Sequence, residues 1–308
     1  MPEKPRTAAG YAPDQVARVK SMCLYLATKL GDLMDELVVV GGLVPSLLID
    51  QTHLPENVTA HVGTLDLDLG LAFALVGEQR YQAVVERLRA AGFEMDQNEE
   101  GQPTRQRWRI SKPPVTVDFL IEPEKIAEAQ AGRLFPLTKD WAAIIAPGLH
   151  LAFTNNQTVT LDGRTIAGET ARRDIRVCGA GAFVVLKALA FHIRGENKDA
   201  YDLFYLLRNY GRGVADVAAQ LRPLIKDASA KRRWHTCGRI SRSLRASGRD
   251  ALPNSCSDDR RWTLRRTPSA SCANFWRNAG LEHELPIIII IRQAADIRCA
   301  RRNIAAGL

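Results

Sequence analysis

The chain has 308 residues, of which 46% are hydrophobic and 25% charged, and its formal net charge is +8. This length can bury a full core and favours two structural units, and no apolar run approaches the roughly 18 to 20 residues that cross a bilayer, so no membrane span is expected. The charge is no argument for nucleic-acid binding by the body of the protein, because residues 228–308 hold 16 Lys+Arg against 6 Asp+Glu and leave residues 1–227 with 26 against 28.

The first 15 residues lack the apolar stretch of a secretory signal, and a cytoplasmic location is the expectation. Residues 14–36 repeat apolar positions at helical spacing (Val16, Val19, Met22, Cys23, Leu26, Leu30, Leu33) and predict an amphipathic helix. The short apolar run at 37–40 ends in Gly41-Gly42 and reads as a buried strand turning sharply into a helix over 43–50. A loop follows at 51–61. The alternation of apolar and acidic residues at 64–70 predicts a strand, and 78–91 a helix stopped by Gly92. Strands are expected at 93–96, 106–110 and 115–121, then strand-like, turn-rich sequence at 149–177. Two helices are expected at 179–194 and 198–210, broken at Gly195. The fold class is α+β, a mixed sheet with flanking helices followed by a C-terminal helical segment. Its expected divisions are 1–177, 178–227 and a basic tail at 228–308.

The tail admits three readings. Arg-rich sequence with interleaved Trp can contact phosphates and stack on bases. His235, Cys237, Cys256, Cys272, His283 and Cys299 are potential zinc ligands, but no pair has the short spacing of a structural zinc site. The preferred reading is an out-of-frame product of a GC-rich gene, since the tail holds 15 Arg against one Lys, 8 of the 11 Ser and 4 of the 6 Cys. Translating the neighbouring frames tests it, and the idea fails if none continues the helical pattern past Ile225. Cys23 and Cys178 are then expected to be reduced core thiols.

Alternate residues of a strand share a face, so Asp66 and Asp68 project side by side, roughly 7 Å apart at their Cα atoms. Two carboxylates on an otherwise apolar strand are costly to bury unless a cation pairs with them, and hard oxygen ligands suit Mg²⁺ or Mn²⁺. Taken alone, the pair is better read as the solvated acidic face of a half-exposed edge strand. Asp118 changes the balance because it is a lone carboxylate inside the apolar run at 115–121 and requires a partner. Beside the first strand it would complete a two-metal carboxylate cluster. A glycine turn such as Gly41-Gly42 lets backbone N–H groups approach phosphate oxygens.

These features together resemble the DNA polymerase beta nucleotidyltransferase superfamily, and within it the AbiEii/AbiGii-type toxin family. The resemblance lies in VVVGGLVPSLL, HVGTLDLDLGL, VTVDFLIE and LKALAFHIRGENKDAYDLFYLL, across about residues 37–210. It implies transfer of a nucleoside monophosphate from an NTP to a hydroxyl of RNA (a tRNA acceptor end) or of a protein, by the toxin of a toxin–antitoxin or phage-defence pair with an antitoxin partner. Asp66, Asp68 and Asp118 would then be metal ligands, with Asp118 the base, and Gly41-Gly42 the phosphate-positioning turn. Many members carry Gly-Ser there, so Gly42 removes a hydroxyl contact. Lys187 would neutralise the triphosphate, and Lys198, Asp199 and Asp202 would border the cleft. His61 and Thr64 flank the acidic strand and are expected to orient it, whereas His192 reads as structural. The competing expectation is a non-catalytic RNA- or protein-binding module on the same fold.

Overall fold

The computed structural model describes residues 14–225 except 55, 57, 63, 73–77, 111–114, 125–129 and 195. The basic tail and its potential zinc ligands, the break at Gly195 and the side chain of His192 lie outside the described residues. The chain divides into two compact units, Met1–Leu224 and Ile225–Leu308. Of the segments expected on either side of residue 177, the first falls within the first unit and the second does so up to Leu224.

Helix α1 (Gln15–Leu30) buries Val19, Met22, Cys23, Leu26 and Leu30 along one stripe. It stops at Gly31, whose φ of 58° is one that L side chains rarely adopt. Residues 31–36 continue as a tighter 3₁₀ helix, so the expected long helix ends six residues early. Strand β1 (Leu37–Val40) is buried throughout because it has neighbours on both edges, β2 (Asp66–Leu71) antiparallel and β9 (Thr170–Cys178) parallel. After Gly41-Gly42 comes the short helix α2 (Val44–Leu48). Helix α3 (Glu78–Ala90) ends before Gly92, where φ is +83°.

Strands β3 (Glu94–Gln97), β4 (Pro103–Ile110) and β5 (Val115–Ile121) form an antiparallel meander, and β5 then lies parallel to β2 along residues 116–121. The other edge of β5 is shared end to end, by β4 over residues 115–118 and by β7 (Ala142–Ile145) over 120–121. This two-sided pairing is why β5 reads as a nearly unbroken apolar run. β7 also pairs with β6 (Leu134–Pro136). Neither was expected, since strands of three and four residues are too short to show a period. At the other side of the sheet β9 pairs along its whole length with β8 (Asn156–Arg164). The main strand order is β3-β4-β5-β2-β1-β9-β8, a mixed sheet of an α+β fold.

One correction falls in the stretch expected to be strand-like from residue 149, which opens with the short helix α4 (His150–Thr154). Glu122 fixes this turn by accepting hydrogen bonds from the backbone N–H groups of Gly148 and His150, a partner 26 and 28 residues away that no local pattern reveals. Helices α5 (Ala180–Arg194), α6 (Asn197–Asn209) and α7 (Val214–Ile225) follow.

The two faces of the central strands differ in kind. Leu67, Leu69, Val117, Phe119 and Ile121 point to one face and are fully buried, beside α1. Trp141 locks this side, with its ring edge-on to Phe119 at 4.9 Å and to Tyr81 at 5.7 Å. The opposite face carries Asp66 and Asp68 and, two residues on, Gly70. A Cβ at Gly70 would stand 2.8 Å from Leu149 Cδ1, so the glycine admits the leucine that covers the sheet there. Cys23 and Cys178 are both buried and free, and burial pushes the Cys23 thiol up to about 12, which suits unreactive core thiols.

Candidate active site

The polar face begins where β1 ends and where β2 and β5 start. Asp68 pairs across the sheet with Val40 on β1 and with Asp118 on β5, so the parallel register sets Asp68 and Asp118 side by side on one face. Asp66 is opposite Thr116, whose hydroxyl donates to Asp66 Oδ1 at 2.8 Å. Thr64 donates to the backbone oxygen of Asp66 at 2.8 Å and so tethers the entry to the strand.

The glycine turn is built against these groups. Gly41 has φ +71°, and a Cβ there would lie 1.8 Å from Asp68 Oδ2, so the backbone touches the carboxylate directly. Only glycine allows this approach and this φ together. A Cβ at Gly42 would lie 2.5 Å from Lys198 Nζ and 3.1 Å from Thr64 Oγ1. The space that a serine would take at this position is filled by the lysine ammonium.

Arg107 on β4 is a participant that sequence reasoning missed. It is the cross-strand partner of Asp118 and grips both its oxygens, with Nε to Oδ1 at 2.7 Å and Nη2 to Oδ2 at 2.5 Å. The same Nη2 lies 3.7 Å from Asp66 Oδ2. The fork is nearly buried, with Arg107 14% and Asp118 7% exposed at the side chain. Hydrogen bonding to Asp118 raises the arginine above its usual value, so it is a permanent cation. The alternation of basic residues at 105, 107 and 109 in β4 was the available signal. Nothing local said that this face adjoined the acidic one.

Lys187, Asp199 and Asp202 form a second group, on α5 and α6. Lys187 Nζ lies 2.9 Å from Asp199 Oδ1 and 2.8 Å from Asp202 Oδ2, and both carboxylates are fully buried. Lys187 is thus buried and held between two carboxylates of the chain itself. Arg194 adds a two-bond fork to Asp199, at 2.7 Å for each bond, and Lys198 pairs with Asp202 Oδ2 at 2.8 Å. Burial alone would raise Asp202, but the Lys187 and Lys198 ammonium groups and His61 reverse it and hold the carboxyl far below the usual range. Burial also opposes charge on the two lysines. Lys187 ends above its ordinary value because Asp202 and Asp199 face it, whereas Lys198 ends below because burial, with the neighbouring Lys187 ammonium, outweighs the pull of Asp202 and Asp68.

His61 joins this group to the glycine turn. Its Nε2 is 2.9 Å from Asp202 Oδ1, and its Nδ1 is 2.9 Å from the hydroxyl of Ser46 on α2. Burial holds His61 below its ordinary value against the pull of Asp202, and an ionised Asp202 can only accept. Nε2 therefore carries the proton, and Nδ1 accepts from Ser46. The ring stacks on Tyr201 at 5.4 Å and meets the edge of Tyr205 at 4.9 Å. All three members of this relay are buried, which makes it a positioning chain for Lys198 rather than a nucleophile with its base.

Charge counting shows what the two groups can do. Asp66, Asp68 and Asp118 against Arg107 leave two negative charges, while Lys187, Lys198 and Arg194 against Asp199 and Asp202 leave one positive charge. The carboxylate oxygens are the donors a hard divalent cation takes, and the backbone of Gly41 closes directly on Asp68, so these residues fit such an ion. Among the described residues, no three His, Cys, Asp or Glu groups gather closely enough to cage a metal by themselves. No helix of the described residues is long and apolar enough to cross a membrane. Compared with models of protein families and with curated proteins, the chain matches none.

Proposed function

We propose that the chain is a divalent-metal-dependent nucleotidyltransferase of the DNA polymerase beta type, passing a nucleoside monophosphate from an NTP to a hydroxyl of RNA, such as a tRNA end, or of a protein. The observation that carries this reading is the meeting of Asp68 with Gly41 and of Gly42 with Lys198 at one strand end, opposite Asp118. Mg²⁺ or Mn²⁺ held by Asp66 and Asp68 would polarise the phosphoryl group and offset charge on the leaving pyrophosphate. The acceptor hydroxyl gives up its proton to solvent water, its oxygen forms the new bond to the α-phosphorus, and pyrophosphate departs with the electrons of the broken P–O bond. Lys198 at the glycine turn supplies a cation for the triphosphate, held in place by Asp202 and, through it, by His61 and Ser46. Action as the toxin of a toxin–antitoxin or phage-defence pair in the cytoplasm is the biological setting that goes with this chemistry.

The experiment is incubation of the full chain with labelled NTPs, Mg²⁺ and total tRNA or lysate, beside the double variant Asp66→Ala, Asp68→Ala. Label should enter RNA or protein with the native chain only. Labelling that is absent, or equal in the variant, refutes the proposal. One observation favours the second reading, a non-catalytic binding module: Asp118 and Lys187 are both neutralised by partners within the chain. Failure of the folded protein to bind Mg²⁺–NTP in calorimetry would select it.

A further inference from the structure

The position of Arg107 bears on how many cations the candidate centre takes. Arg107 and Asp118 are direct cross-strand partners, so the backbone register of β4 and β5 builds the ion pair into the sheet. Both carboxylate oxygens of Asp118 are engaged by the fork, and the guanidinium reaches past Asp118 to within 3.7 Å of Asp66 Oδ2. A second metal ion bridging Asp66 and Asp118 would have to occupy the space this guanidinium fills. The charge count points the same way, because three carboxylates and one arginine leave two negative charges, which one divalent ion balances. Unlike a lysine, an arginine cannot discharge itself to make room, and its planar fork matches a carboxylate at two points.

Resting on the nucleotidyltransferase reading, we infer that Asp118 is the anchor of Arg107 rather than a third metal ligand, and that the centre takes a single divalent ion on Asp66 and Asp68 with the Arg107 guanidinium as its fixed second cation. Arg107 is then a positioning and charge-supplying residue at the place where a two-ion centre would hold its other metal. Removing its charge while leaving Asp118 frees a carboxylate beside Asp66 and converts the centre to one that takes two ions. Removing the pair together restores the original count.

Mn²⁺ titration of the full chain, followed by the loss of the free-ion signal in electron paramagnetic resonance, reads this directly without any turnover. The native chain should bind one Mn²⁺, Arg107→Gln should bind two, and the double variant Arg107→Gln, Asp118→Asn should bind one with an affinity within about threefold of the native value. Asp66→Asn should lose the ion. Gln and Asn keep hydrogen-bonding side chains of similar size, and far-ultraviolet circular dichroism with a thermal melt verifies that each variant is folded. Two Mn²⁺ on the native chain, one on folded Arg107→Gln, or loss of the ion from the double variant overturns the assignment of Asp118 and leaves the nucleotidyltransferase reading standing. No Mn²⁺ on the native chain overturns both. If a variant does not fold, the count on the native chain decides.

Discussion

Gly41→Ala is the sharpest perturbation of the proposed centre, because its cost divides into two parts that can be measured separately. The first is conformational: φ at this position is +71°, and an L side chain there costs about 1 to 2 kcal/mol. The second is steric, since the new Cβ would lie 1.8 Å from Oδ2, 2.6 Å from Cγ and 2.7 Å from Cβ of Asp68. No small adjustment clears three such contacts, so the Asp68 side chain must leave its rotamer, at roughly 0.5 to 1.5 kcal/mol. The total is about 1.5 to 3.5 kcal/mol. For a unit of about 200 residues, each 1 kcal/mol lowers Tm by roughly 2 to 4 °C, so the shift should be about 3 to 14 °C. The assay is a double-mutant cycle of urea melts with Asp68→Gly, which removes all three of these atoms. In that background only the conformational part should remain, giving a coupling of about 1 kcal/mol. A Gly41→Ala penalty that is the same with and without the Asp68 carboxylate refutes the claim that the turn closes on this residue.

Lys187→Met removes the cation shared by two buried carboxylates and should cost about 3 kcal/mol, at the lower end for a broken buried pair because Arg194 and Lys198 remain. Urea denaturation measures it, and a loss under about 1 kcal/mol would show that Lys187 is not held as described. His61 sets a pH dependence whose sign follows from its direction of shift. Burial keeps its folded value below the 6.5 of the unfolded side chain, so the unfolded chain takes up a proton that the native state refuses. The stability contributed is fully present above pH 6.5 and is lost as pH falls below it. Urea midpoints at steps from pH 8 to pH 5 should therefore decline below 6.5, and His61→Gln should flatten that decline. An unchanged slope in the variant assigns the decline to other groups.

Most elements were legible because their signals are local. The stripe Val19, Met22, Cys23, Leu26 repeats at the helical period, and β1 and β5 show β-branched runs closed by Gly41-Gly42 and by the chain beyond Ile121. The short pieces β6, β7 and α4 were not legible, since none spans enough residues to repeat a period and α4 is held by Glu122 from a distant strand end. Within the centre, alternation alone determined that Asp66 and Asp68 share a face and that Leu67 and Leu69 take the other, because a strand leaves no alternative. The lone Asp118 in an apolar run announced that it needed a partner, but nothing in its neighbourhood named that partner. Only the tertiary structure decided that Asp68 and Asp118 are in register, that Arg107 from the next strand occupies Asp118, and that Lys187 is bound by Asp199 and Asp202. Pairing across strands and helices depends on register and proximity between segments far apart in the chain, and those are consequences of how the sheet closes rather than of any residue's own neighbourhood.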